Sequence, residues 1–160
     1  MTVAIPVGKH NVAFIDHQDF EIVSKHKWCL ALTTSPTLRY AMTAFHINGR
    51  KTTIRMHRLI LGLTLGDGKV SDHKDGDGLN NRRSTNLRVS THQQNMWNKG
   101  PHKNNSLGQK FISPTPNGGY SVRIMCNGAR RTRTVRTLEE AITLRAAWAA
   151  EIHGGFARVQ

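Results

Sequence analysis

At 160 residues, 38% of them hydrophobic, the chain suits one ordinary domain or two small ones and can bury a core without covalent staples. Its two cysteines, Cys29 and Cys126, lie far apart and form no CxxC pair, which excludes a disulfide framework and a cysteine-ligated zinc finger. The 23 Lys and Arg against 10 Asp and Glu give a formal charge of +13 and a pI near 10.7, the balance of a protein with a polyanionic partner.

The surplus is also concentrated. Between Gly78 and Leu138 there is no carboxylate, while eleven Lys or Arg occur among Tyr, Trp and Phe, so the run reads as a folded surface for nucleic acid rather than a loose tail. No apolar run approaches membrane-spanning length, and the opening MTVAIPVGKHNVAF lacks the basic-then-apolar layout of a signal peptide. A reducing, cytoplasmic setting with no membrane partner is expected.

In chain order, NVAFID reads as a strand, DFEIVSKHKW as a helical turn, and WCLAL, LRYAMTAFHI and RKTTIRM as further strands. Asn48 and Gly49 in INGR supply a hairpin turn. MHRLILGL places Met56, Leu59, Ile60 and Leu63 at helical spacing, with Gly62 and Gly66 able to end the helix. KVSDH, the loop KDGDGLNNRRST, NLRVS and THQQNMWNK then read as strand, loop, strand and helix. Capping-box chemistry is on offer from Ser90 with Gln93 or from Thr91 with Gln94. NKGPHKNNS has the composition of a linker. Beyond it, LGQKFIS, GYSVRIMC and ARRTRTVRT are three strands joined by the turns PTPNGG and NG. TLEEAITLRAAWAAEIHGG is an amphipathic helix with Thr137 as N-cap, Glu140 at capping-box spacing and Gly154 as stop. The helix should cover one face of the three strands and leave the other open. Trp28 and Trp148 read as core and His92 as exposed.

The stretch SDHKDGDGLNNRRSTNLRVSTHQQN, Ser71 to Asn95, holds too many polar side chains to be core, because each buried one needs a partner. It is not an EF-hand, since no Glu occurs between Glu21 and Glu139 to close the loop. Nor is it a zinc finger, with only His73 and His92 as ligands. What survives is a hydrolytic site made of one carboxylate, one imidazole and distant amides. Asp72 and His73 are neighbours at a strand end, so their side chains diverge, and one can hold a cation while the other faces a water. Asn95 can bring a neutral oxygen to the same cation, which would keep waters and take its remaining ligands from phosphate. Asp75 and Asp77 read as loop residues, with Gly76 and Gly78 supplying the turn.

Asp72-His73, Asn86 and Asn95, with DGDGLNNRRSTNLR between them, resemble the HNH (ββα-metal) nuclease motif of phage homing and free-standing endonucleases. RYAM, INGRKTTIRMHRLILG and VAFID...DFEIVSKHKW upstream are similar to the strands that precede the motif in that group. GGYSVRIMCNGARR and TLEEAITLRAAWAAEIHGGFARV resemble the AP2 DNA-binding domain that often follows such nucleases. The resemblance implies an α+β chain: an HNH domain over residues 1–98, a linker over 99–106 and an AP2-like domain of three antiparallel strands and one helix over 107–160.

By the same resemblance His73 is the general base, Asp72 and Asn95 bind Mg²⁺ or Mn²⁺, and Asn86 holds the loop and orients His73 by hydrogen bonding. The implied products are a 5′ phosphate and a 3′ hydroxyl on double-stranded DNA, with phage or mobile-element origin and residence in a host cytoplasm. One site cuts one strand per binding event, and a homodimer would cut both. Arg82, Arg83 and Arg88 are candidates to grip phosphates around the scissile bond. Arg123, Arg131 and Arg133 alternate along strands and are expected to share a face that reads the major groove, joined by Tyr120 and Lys110. His57 either faces the site or is a satisfied packing histidine. The rival class is a non-catalytic DNA-binding regulator on the same scaffold; an RNA-binding reading lacks an RNP aromatic pair or a GXXG loop.

Overall fold

The computed structural model describes residues 1–31, 39–47, 49–64, 66–102, 104–126 and 128–157. The chain packs as two compact units, residues 1–95 and 96–160, and the stretch read as a linker falls in the second.

The first unit opens with β1 (Thr2–Val7) and β2 (Asn11–Asp16), paired antiparallel from Thr2 opposite Asp16 to Val7 opposite Asn11. Only β2 was expected. Pro6 argues against a strand in sequence, but β1 is an edge strand of a two-stranded ladder, where a missing donor costs little. A 3-10 turn (His17–Asp19) leads to α1 (Phe20–Ser24), as the helical turn predicted. β3 (Cys29–Leu30), β4 (Ala41–Ile47) and β5 (Arg50–Arg55) form an antiparallel sheet in that order. Of the expected Asn48-Gly49 turn, Gly49 adopts φ +74°, and Asn48 lies outside the described residues. α2 (Met56–Ile60) is one turn shorter than its apolar spacing suggests, because Gly62 turns the chain at φ +64°.

β6 (Val70–His73) and β7 (Leu87–Ser90) make an antiparallel ribbon with Asp72 opposite Arg88 and His73 opposite Leu87. α3 (His92–Asn98) follows. Of the two capping boxes on offer, Thr91 and Gln94 form the one used: the Gln94 N–H donates to Thr91 Oγ1 at 3.2 Å and the Thr91 N–H to Gln94 Oε1 at 2.8 Å. Ser90 instead donates from Oγ to the Val70 carbonyl at 3.1 Å, closing the ribbon.

Ile5, Val7, Ala13, Ile15, Val23, Trp28, Met56, Ile60, Leu79 and Leu87 bury together as the first core, with Trp28 Nε1 donating to the Val23 carbonyl at 2.9 Å. Leu79 and Leu87 flank the polar loop. The core therefore reaches into the Ser71–Asn95 stretch and fixes where its loop begins and ends. Phe14 of β2 ties the same loop by backbone, its N–H donating to Leu79 at 2.9 Å and its carbonyl accepting from Asn81 at 2.7 Å.

The second unit contains β8 (Ile112–Pro114), β9 (Tyr120–Cys126) and β10 (Ala129–Val135), antiparallel with β9 central, and α4 (Leu138–His153). Thr137 and Glu140 form the expected capping box, and Gly154 ends α4 at φ +51°. Ile112, Val122 and Ile124 pack against Ala141, Trp148 and Ala149, so α4 covers one face of the sheet. Among the described residues no helix is long and apolar enough to cross a membrane.

Candidate active site

The β6–β7 ribbon sets the geometry. Asp72 and His73 close β6, and both are buried, at 3% and 6% exposure. His73 is held by a residue the sequence did not single out. Its Nε2 lies 3.2 Å from Oδ1 of Asn81, which is fully buried. The Asn81 amide nitrogen donates to the carbonyls of Leu79 at 3.2 Å and Gly78 at 3.4 Å, so the amide oxygen faces the imidazole. An amide oxygen only accepts; Nε2 therefore carries the proton and Nδ1 the lone pair of the neutral ring.

Asn86 acts elsewhere. Its Oδ1 accepts from the Asp75 N–H at 3.0 Å, while its Nδ2 donates to Asp75 Oδ1 at 2.9 Å and to the Asn80 carbonyl at 2.7 Å. The expectation that Asn86 holds the loop describes these bonds. The expectation that it also orients His73 is corrected: these Asn86 side-chain bonds all go to the loop, and Asn81 meets the ring. Asp75 and Asp77 build the turn, accepting the N–H groups of Asp77 and Leu79 at 2.8 and 3.0 Å.

Three rings crowd together. His57, 4% exposed, meets the His73 ring edge-on at 5.0 Å, and Tyr40 meets His57 at 5.3 Å and His73 at 6.0 Å. His57 thus packs against the catalytic candidate instead of standing apart. Burial holds its pKa well below the usual histidine value, with the charges of His73, Arg55 and Arg58 adding to the effect. Burial also lowers the pKa of His73, opposed by the Asn81 hydrogen bond and the carboxylates of Asp75, Asp72 and Asp77. Both imidazoles are accordingly neutral near pH 7. Gly78 makes the packing feasible, since a Cβ there would stand 2.5 Å from the Tyr40 ring and collide with the Arg39 carbonyl.

The arginines expected on phosphates are engaged within the fold. Arg88 Nε donates to Asp72 Oδ2 at 2.6 Å, a cross-strand pair with 15% and 3% of the side chains exposed. Arg83 bridges Asp19, at 2.7 Å, and the Ile60 carbonyl. Arg82 Nε donates to Asn80 Oδ1 at 2.8 Å. In the second unit, Lys110 Nζ donates to the carbonyls of Met96, Trp97 and Lys99 at 2.7, 3.0 and 2.8 Å, capping residues at the end of a helix.

The expected grouping of Arg123 with Arg131 and Arg133 is corrected by register. Paired residues of an antiparallel ladder share a face. Arg131 pairs with buried Ile124 and Arg133 with buried Val122, which places both on the α4 side with Tyr120. Arg131 lies 4.4 Å over the Trp148 ring and 2.7 Å from Glu151. Arg123 belongs to the opposite, uncovered face with Ser121, Arg130 and Thr132. Arg130, which the sequence reading passed over, is its basic neighbour.

Asn95 sits half-buried on α3, its N–H donating to the Thr91 carbonyl at 3.0 Å. Among the described residues, no three His, Cys, Asp or Glu side chains gather into a metal cage. The donor set on offer, one carboxylate and one amide oxygen with no thiolate, fits a hard divalent cation that keeps its waters. Such a cation would share Asp72 with Arg88.

Residues 54–97, which carry all four motif positions, match the HNH endonuclease family. Over 156 residues the chain is 30% identical to an uncharacterized HNH endonuclease of Acanthamoeba polyphaga mimivirus, covering 94% of this chain and 75% of that protein. The chain belongs to the HNH endonuclease family. It is therefore a nuclease. Among solved structures it is similar to one described as DNA binding and cleavage by the HNH homing endonuclease I-HmuI. That likeness has 22% identity and a TM-score of 0.35, over 79% of this chain and 75% of the other.

Proposed function

We propose that this HNH nuclease is a metal-dependent DNA endonuclease of the homing type, with His73 as general base. The observation that carries the reading is the Asn81–His73 hydrogen bond, which leaves a neutral imidazole with its lone pair on Nδ1. Nδ1 takes a proton from the water that attacks the phosphate, a task that needs a neutral base at working pH. Asp72 and Asn95 would hold Mg²⁺ or Mn²⁺, which would supply positive charge where it develops at the phosphate. Arg88 steadies Asp72, and Asn86 keeps the loop in place so that Asn81 meets the ring. The products are a 5′ phosphate and a 3′ hydroxyl.

The second unit acts as an AP2-like DNA-binding module, with the uncovered sheet face of Arg123, Arg130 and Thr132 laid against double-stranded DNA. A single site nicks; two copies would cut both strands.

The test is conversion of supercoiled plasmid by wild type and His73→Ala with Mg²⁺, with Mn²⁺ and with EDTA. Nicked or linear product that needs metal and disappears in His73→Ala, while gel-shift binding persists, is the expected result. Plasmid left intact by wild type under every metal condition, despite tight binding, would overturn the reading.

A further inference from the structure

The nuclease chemistry leaves one part of the site without a role. Four arginines near His73 are spent on the fold: Arg82 on Asn80, Arg83 on Asp19, Arg88 on Asp72, and Arg58 on Asp67 and the Lys69 carbonyl. Arg55 differs. It is exposed at the end of β5, and among the described residues no carboxylate lies within ion-pair distance of it. Its guanidinium instead rests 4.9 Å from the centre of the Tyr40 ring, the same ring that touches His57 at 5.3 Å and His73 at 6.0 Å.

A guanidinium stacked on an aromatic face keeps its N–H groups in plane and directed outward, a fork that matches two phosphate oxygens. The stack costs the arginine little of its charge and much of its rotamer freedom, so the fork is ordered before substrate arrives. Need and supply coincide here. Asp72, Asp75 and Asp77 surround His73 with negative charge, and a phosphate gaining charge in the transition state requires cationic donors that the fold has not already consumed.

We infer that Arg55 is a further catalytic residue, donating to oxygens of the phosphate attacked at His73, and that Tyr40 is a positioning residue that holds Arg55 and His73 in one array. The inference rests on the nuclease reading above and adds to it a substrate contact outside the Ser71–Asn95 motif.

The experiment is single-turnover nicking of supercoiled plasmid by the full chain, measuring the rate at saturating DNA and the half-saturating concentration separately. The variants are Arg55→Ala, Arg55→Lys, Tyr40→Phe, Tyr40→Ala and the Tyr40→Ala/Arg55→Ala double, each checked by thermal melting. Arg55→Ala is expected to lose about 10²-fold in saturating rate, the scale of one transition-state donor, with a wild-type melt. Arg55→Lys should recover only part, since it returns charge without the fork. Guanidinium ion added below denaturing concentrations should raise the rate of Arg55→Ala and not of wild type. Tyr40→Phe keeps the ring and should stay within about 3-fold, whereas Tyr40→Ala should fall as Arg55→Ala does and the double no further. A wild-type saturating rate in Arg55→Ala, or a loss confined to the half-saturating concentration, overturns this inference and leaves the nuclease reading standing. Wild type that fails to nick overturns both.

Discussion

Asn81 offers the sharpest test of how the site is held together. In Asn81→Ala, the side chain loses its bond to His73 at 3.2 Å and its two donations to Gly78 and Leu79 at 3.4 and 3.2 Å, all in a place with no water access. Counting the longest contact as weak leaves about two neutral hydrogen bonds at roughly 1 kcal/mol each, or about 2 kcal/mol in all. The first unit spans 95 residues. For a domain of that size, about 2 kcal/mol corresponds to a fall of roughly 8 to 16 °C in its unfolding midpoint. The His73 ring, no longer tied at Nε2, can place its proton on either nitrogen, and plasmid nicking should drop at least 10-fold even at temperatures where the variant is folded. Asn81→Asp keeps the acceptor and adds a charge that favours the imidazolium, so the rising limb of its pH–rate profile should move to higher pH. A melt and a nicking rate equal to wild type in Asn81→Ala would refute the claim that this amide sets the tautomer of the base.

Three further outcomes follow from the same contacts. Because His57 is buried neutral with its pKa depressed, the unfolded chain binds the extra proton; stability is complete above the unfolded value of about 6.5 and declines as pH falls below it, a slope that thermal melts between pH 5 and 8 should show and His57→Phe should flatten. Gly78→Ala should push Tyr40 and the Arg39 backbone away from the loop, costing about 1–3 kcal/mol as overpacking does and slowing nicking through displacement of the Tyr40 ring; an unaltered melt would show that the loop yields freely. Arg123→Ala should reduce the slope of log binding constant against log salt by about 1, while Arg131→Ala, tied to Trp148 and Glu151, should lower the melt of the second unit and leave that slope alone; the reverse pattern in filter-binding titrations would invert the face assignment.

Much of this protein is written locally. Thr137, Glu140 and Gly154 bound α4 by capping chemistry that acts within one turn, and the apolar spacing between them is enough to predict a helix covering a sheet. The signature Asp72, His73, Asn86 and Asn95 is likewise legible, because its residue types lie on a strand, a loop and a helix in immediate succession. Asp75 and Asp77 as turn builders could be read the same way, since their bonds reach only two residues onward.

Partners chosen across the fold could not be read. Asn81 and Asn86 are both asparagines in one polar loop, yet it is Asn81, its backbone tied to Phe14 of β2, whose amide meets His73. Tyr40, just before β4, meets the His73 ring and Arg55 of β5 rests on Tyr40, both more than fifteen residues before the motif, through ring contacts that leave no spacing in the sequence. The arginines make the same point. Arg88, Arg83 and Arg131 look alike in a basic run, but each has a carboxylate supplied by a different element. Sequence by itself determined which groups of the chemistry are present, because their types and order are local properties. Tertiary structure decided which cations remain for a substrate, because the pairing of charges depends on which elements pack side by side.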